Sequence, residues 1–110
     1  MAVFELEGQR FMAANFGPHF QFNEATSFFV SCDSQEEVDY FWEKLTENGG
    51  KEGRCGWLKD KFGLSWQIVP SVFGKLVSGS DPARSQRVFA AMQQMNKMDI
   101  QKLQQAYDGE

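Results

Sequence analysis

Thr26-Ser27-Phe28-Phe29-Val30-Ser31-Cys32 runs directly into Asp33-Ser34-Gln35-Glu36-Glu37-Val38-Asp39-Tyr40-Phe41-Trp42-Glu43-Lys44-Leu45. The first seven residues are rich in β-branched and aromatic side chains and are predicted to form a strand. The period then changes. Asp33 is the expected N-cap, with Glu36 three residues later in capping-box spacing. Val38, Phe41, Trp42 and Leu45 fall at i, i+3, i+4 and i+7, which builds one apolar stripe along a helix. Asn48-Gly49-Gly50 ends that helix with residues tolerant of a left-handed C-terminal conformation.

On the C-terminal side, residues 54–59 and 64–69 are predicted strands joined by Asp60-Lys61-Phe62-Gly63. Glycine at the fourth loop position suits a type I turn followed by a bulge. Pro70 closes the second strand. Asp81-Pro82 opens a helix, with proline at its first position, and Val88, Phe89, Met92 and Met95 form its apolar face. A last helix carries Ile100, Leu103 and Tyr107. On the N-terminal side, residues 2–7 and 10–14 alternate around Gly8 and read as a hairpin. Asn15-Phe16-Gly17-Pro18-His19 reads as a loop. The order is ββ–β–α–ββ–αα, an α+β chain with largely antiparallel strands.

At 110 residues this is one small domain. Eleven basic against 15 acidic side chains leave a net charge of −4. Such a balance offers no basic footprint for a phosphate backbone, so nucleic acid is not an expected partner. The chain is 42% hydrophobic, too apolar for disorder. It has no run of roughly 18 apolar residues, so no membrane span is expected. Met1–Glu7 lacks the basic region of a secretory signal. Two cysteines do not make a disulfide framework, and a cytoplasmic protein with reduced thiols is the expectation. A domain this size buries roughly 60–70% of its unfolded surface. With the last third read as helices outside the sheet, the sheet region is nearer half a domain, which favours an oligomer.

Elimination removes most chemistry. His19 is the single histidine, and no cysteine or second histidine stands at zinc-ligand spacing from it. Cys32 and Cys55 fall in predicted strands and read as structural thiols; neither belongs to a Cys-x-x-Cys pair. Gly49-Gly50-Lys51-Glu52-Gly53 lacks the phosphate-loop pattern and leads into a strand. No Gly-x-Gly-x-x-Gly follows a strand, so no dinucleotide or comparable cofactor has a seat. Glu36, Glu37, Asp39 and Glu43 read as the solvated face of the helix, and Met92, Met95 and Met98 as core or interface filler.

Longer runs resemble a known family. Phe22-Asn23-Glu24-Ala25-Thr26-Ser27-Phe28, the Cys32–Leu45 stretch, and Cys55-Gly56-Trp57-Leu58-Lys59-Asp60-Lys61-Phe62-Gly63-Leu64-Ser65-Trp66-Gln67-Ile68-Val69-Pro70 are similar to the PhnB-like branch of the vicinal oxygen chelate superfamily. Glyoxalase I, bleomycin-resistance proteins and extradiol dioxygenases are other members. Gly8–Pro18 resembles the same branch. The resemblance implies paired βαβββ modules whose curled mixed sheets face each other around a pocket, followed here by a helical tail over 71–110. Residues 26–70 map onto one module, with its weakest strand around 50–54. Residues 2–14 look like the last two strands of a second module whose opening strand, helix and strand are missing. That wall is expected either upstream or from another chain.

In metal-dependent members, ligands sit on the first and last strand of each module. The resemblance puts those positions at Ser27 and, through Asp60-x-x-Gly63-x-x-x-Gln67, at Gln67. A serine hydroxyl and an amide are poor ligands for a divalent ion, so no metal is expected. Proteins of this pattern often carry the label 3-demethylubiquinone-9 3-methyltransferase, yet the sequence has no glycine-rich S-adenosylmethionine loop. The expected function is binding of an unidentified small molecule by Ser27, Phe29, Ser65, Gln67 and His19, in a homodimer, for which exchange of strands or of the tail is one route among others. The alternatives are a metal-dependent glyoxalase- or dioxygenase-type enzyme completed by a partner chain, and a non-catalytic dimerisation module. Alternation places Ser65, Gln67 and Val69 on the pocket face and Trp66 and Ile68 under the helix.

Overall fold

The computed structural model describes all residues from 1 to 110. β1 (Ala2–Leu6) and β2 (Gln9–Ala13) form a two-stranded antiparallel hairpin. Its turn residues Glu7 and Gly8 both have positive φ, at 50° and 78°, as a two-residue turn matched to strand twist requires. The main sheet contains β3 (Ser27–Cys32), β4 (Lys51–Glu52), β5 (Trp57–Lys59) and β6 (Ser65–Pro70), in the order β3-β6-β5-β4. β3 and β6 are parallel; the other pairs are antiparallel. α1 (Gln35–Thr46) makes the crossover after β3. The result is one complete βαβββ module with an open mixed sheet. α2 (Ser71–Val77), α3 (Pro82–Met92) and α4 (Ile100–Asp108) follow it.

The α1 stripe folds as its spacing requires. Val38 and Trp42 are buried with Cys32, Leu58 and Ile68, while Val30, Phe41, Leu45 and Trp66 pack around them. The buried Trp42 indole N–H needs an acceptor and donates to Glu52 Oε1 at 2.8 Å. The cap lies one residue beyond the expected Asp33. Ser34 Oγ accepts from Glu37 N at 3.2 Å, and Glu37 Oε1 accepts from Asp33 N at 3.1 Å. The capping logic is as expected; Ser34 and Glu37 carry it because Ser34 is the last extended residue.

Two other expectations change. The strand expected over 54–59 begins only at Trp57. Arg54-Cys55-Gly56 is a turn, with φ of 61° at Cys55 and 81° at Gly56. Cys55 N and Gly56 N donate to Met95 O and Asn96 O, and Gly56 O accepts from Ile68 N. A Cβ on Gly56 would lie 2.9 Å from Ile68 O, so only glycine lets this turn lie so close to β6. Secondly, α2 arises directly from Pro70 without a side-chain cap, and no separate helix was expected there.

The tail covers part of its own sheet instead of offering its whole apolar surface to a neighbour. Val69 of β6 is buried with Leu76, Val88, Met98 and Leu103. Gln35 of α1 fastens this unit. Its Nε2 donates to Met98 O and Asp39 Oδ1, each at 3.0 Å, and its Oε1 accepts from Ile100 N at 2.8 Å.

The hairpin is attached more sparingly. Phe4 stacks on Phe11, Phe11 meets Phe28, and Phe28 meets Trp66 edge-on, with centroid separations of 5.2–5.7 Å. Val3, Leu6, Met12, Phe16, Phe20 and Phe22 are exposed. The radius of gyration is 16.1 Å, against about 13 Å for a compact chain of this length. No helix is long and apolar enough to cross a membrane.

Candidate functional site

With α1 on one face of the main sheet, the opposite face is set by strand register. Phe29, Gln67 and Trp57 are adjacent across β3, β6 and β5, forming one rung. Ser27, Ser65 and Lys59 form the next rung. The alternation therefore works as expected: Trp66 and Ile68 pack toward α1, while Gln67 and Val69 turn away.

The Phe29–Gln67–Trp57 rung floors a cleft of about 470 Å³. Val69 and Cys55 extend its lining, and Phe73, Met92 and Met98 supply a wall from the tail. Its volume lies within the range of small-molecule sites, and its open, mostly apolar lining carries Gln67, Ser31 and Ser71 as polar groups. Gln67 is the central polar group. Its Nε2 donates to Ser27 Oγ at 2.8 Å, which fixes the amide and leaves Oε1 as an acceptor. Phe29 is 62% exposed, so a large ring stands uncovered at the mouth.

Gln67 is held in place from the other side of its strand. Asp60 Oδ1 accepts from Phe62 N and Leu64 N at 2.9 and 3.0 Å, and Oδ2 accepts from Trp66 Nε1 at 2.9 Å. Gly63, at φ 88°, completes the loop. The clasp anchors Trp66 under α1 and so turns the next residue, Gln67, into the cleft.

The fold thus brings Ser27, Phe29 and Gln67 together, but only Phe29 and Gln67 line the cleft; Ser27 is linked to it through Gln67, and Ser65 is outside the lining. Ser65 shares their face but is 1% exposed, and its Oγ has no hydrogen-bond partner. His19 stands on the exposed loop before β3 and is not in the cleft lining. Sequence reasoning missed Trp57 as a lining residue, although its pairing with Gln67 places it there. It also missed Cys55, Phe73, Met92 and Met98; their approach depends on tail docking, which leaves no local signal.

The donor set at the resemblance-derived ligand positions does not fit a divalent metal. Ser27 and Gln67 offer a hydroxyl and an amide already engaged with each other. No group of three or more His, Cys, Asp or Glu side chains is assembled anywhere in the chain, whereas zinc sites take thiolate, imidazole or carboxylate donors. The thiols differ in setting. Burial, reinforced by Glu37 and Asp33, pushes the Cys32 thiol up to about 11, and it lies on the α1 side. Cys55 is half-buried in the cleft wall. A larger open groove of about 1130 Å³ runs between the start of α1 and α4. Its lining is almost wholly polar, and the Gln35 clamp spans it.

Comparison with known proteins agrees with this architecture. No curated protein matches the chain. A PhnB protein from Bacillus cereus, whose description carries the 3-demethylubiquinone-9 3-methyltransferase label, is similar in structure. It shares 32% identity and a TM-score of 0.55 over 63% of this chain and 62% of its own. This chain therefore spans somewhat under two thirds of that relative. The sequence model of the 3-demethylubiquinone-9 3-methyltransferase family matches residues 1–69, which contain the hairpin, the βαβββ module and the Gln67 rung. With the module and the matched residues coinciding, the chain belongs to that family, the PhnB-like branch of the vicinal oxygen chelate superfamily.

Proposed function

We propose that the protein binds a small organic molecule in the cleft over Phe29, Gln67 and Trp57, without a metal, and works as a cytoplasmic homodimer. One observation carries the binding reading. The Gln67 amide is fixed by Ser27 between two aromatic residues, in a mostly apolar cleft of about 470 Å³. A fixed amide in such a setting selects ligands by a hydrogen bond, while the rings supply contact area. Ligand-induced thermal shifts against a panel of small aromatic and aliphatic compounds test it. A binder is expected whose affinity falls about tenfold in Gln67→Ala, the upper range of one net hydrogen bond. Equal shifts in both proteins would remove Gln67 from the site.

Surface area supports the dimer. The chain exposes 7898 Å², whereas a folded monomer of this mass exposes about 6,200 Å². The difference, about 1,700 Å² per chain, falls within what each subunit of an obligate dimer buries. The exposed Val3, Phe4, Leu6, Met12, Phe16, Phe20 and Phe22 belong to the hairpin and the loop after it. We assign a second copy to this face. β3, an edge of the main sheet, is also open to an added strand. Sedimentation equilibrium at low micromolar concentration should give twice the 12.6 kDa chain mass; a stable monomer would refute the dimer.

A further inference from the structure

The rung beside the cleft, on the same sheet face but outside its lining, has chemistry of its own. Register extends it to a fourth strand, because Lys51 of β4 pairs with Lys59 of β5. Ser27, Ser65, Lys59 and Lys51 therefore stand side by side across β3, β6, β5 and β4, on the face that carries Gln67. Two hydroxyls and two ammonium groups in one row are notable in a chain with a net charge of −4. Like charges directly opposite each other across a sheet repel unless an anion lies between or beside them.

Glu24 is that anion here. It precedes β3 and ion-pairs with Lys59 of β5, joining the two strands that flank β6. Lys59 holds the Glu24 carboxyl below its ordinary range through a hydrogen bond and its charge. Lys51 makes no ion pair within the chain. Between Lys59 and Ser27 lies Ser65, 1% exposed, with a hydroxyl that no protein group satisfies. A buried hydroxyl without a partner costs about 1–3 kcal/mol, and an acceptor oxygen would reach it once the side chains over it, Glu24 with Lys59, part.

We propose that the Ser27–Ser65–Lys59–Lys51 rung is a carboxylate seat, that Glu24 holds its Lys59 position in the unliganded chain, and that the molecule bound over Gln67 carries a carboxylate which displaces Glu24. This rests on the cleft reading above and adds the ligand's class. Adjacent same-face rungs are about 7 Å apart. The ligand is thus a monocarboxylate whose apolar or aromatic body lies about 7 Å from its charge, between Phe29 and Trp57. Glu24 is 63% exposed in its side chain and attached to an irregular segment, so it can leave at little structural cost.

The test compares 3-phenylpropionate with its neutral amide, 3-phenylpropanamide, in titrations followed by amide chemical shifts. Wild type, Glu24→Gln and Lys59→Met are used, each first checked for an unchanged melting temperature. The acid should bind wild type better than the amide. It should bind Glu24→Gln roughly three- to tenfold tighter than wild type, because the internal competitor at an exposed ion pair is gone. Lys59→Met should lose the preference for the acid, and the preference should shrink as salt is raised. Equal affinities for acid and amide, or no gain in Glu24→Gln, would overturn the carboxylate seat. If the amide still binds in a Gln67-dependent way in that case, the cleft reading stands alone. If neither compound binds any of the three proteins, the seat is refuted and the cleft reading loses its support as well.

Discussion

Asp60→Ala is the substitution that most directly probes how the cleft is built. The carboxylate accepts three hydrogen bonds, from Phe62 N, Leu64 N and Trp66 Nε1. The Phe62 amide lies in an exposed loop and can turn to water, so its loss counts for little. The Leu64 amide and the Trp66 indole are half-buried and would be left short of a partner. Hydrogen bonds to charged groups contribute about 1.5–3 kcal/mol each when buried; with partial exposure the two together are worth about 2–3 kcal/mol. For a domain of this length that lowers the melting temperature by about 10 °C. Asp60→Asn keeps one acceptor for the two loop amides and loses only the indole bond, so it should fall between wild type and Asp60→Ala. Differential scanning calorimetry reads all three. Because Trp66 fixes the residue next to it, Asp60→Ala should also weaken binding over Gln67. A melting temperature within about 2 °C of wild type would refute the clasp as a determinant of β6.

Gln35→Ala removes the bonds to Ile100 N and Met98 O and should loosen the tail, seen as faster hydrogen exchange in α4 than in β6. Gln35 first, then Lys97, hold the Asp39 carboxyl below its usual range. Its small stabilising contribution is therefore present above the unfolded carboxylate value near 4 and lost as pH falls through the folded value, so α4 exchange should accelerate selectively in acid. A disulfide reagent near pH 8 should label Cys55 in the native protein and leave Cys32, with its raised thiol, unmodified until denaturant is added; rapid native labelling of both would contradict the burial of Cys32. Protein dialysed against buffer should retain less than one equivalent of zinc, nickel, iron or manganese; a full equivalent lost on Gln67→Ala would overturn the donor-set argument.

The readable parts of this sequence are those where one element decides its own geometry. Val38, Phe41, Trp42 and Leu45 announce α1 because a helical stripe needs only its own spacing. Trp66 and Gln67 announce their opposite faces because a strand alternates regardless of its partners. The unreadable parts depend on distant contacts. Arg54-Cys55-Gly56 has strand composition, yet it turns because its amides meet Met95 and Asn96 of the docked tail. α2 has no polar cap and contains Gly74, so no start signal or strong propensity marks it. The cleft shows the same division. Phe29 and Gln67 are legible from alternation and resemblance, whereas Met92, Met98 and Phe73 arrive through tertiary packing. Lys51 and Lys59 become neighbours only once the short β4–β5 register is known.

The parallel pairing of β3 with β6 has a consequence for synthesis. Ser27 is paired with Ser65, roughly 40 residues later in the chain, and chains elongate at about 5–20 residues per second. For several seconds on the ribosome, Phe28, Phe29 and Val30 have no strand beside them, while the β1–β2 hairpin can close on its own within microseconds. Long-range parallel pairing is also among the slower steps available to a small domain. The nascent chain is thus most vulnerable to aggregation at the segment that later edges the cleft.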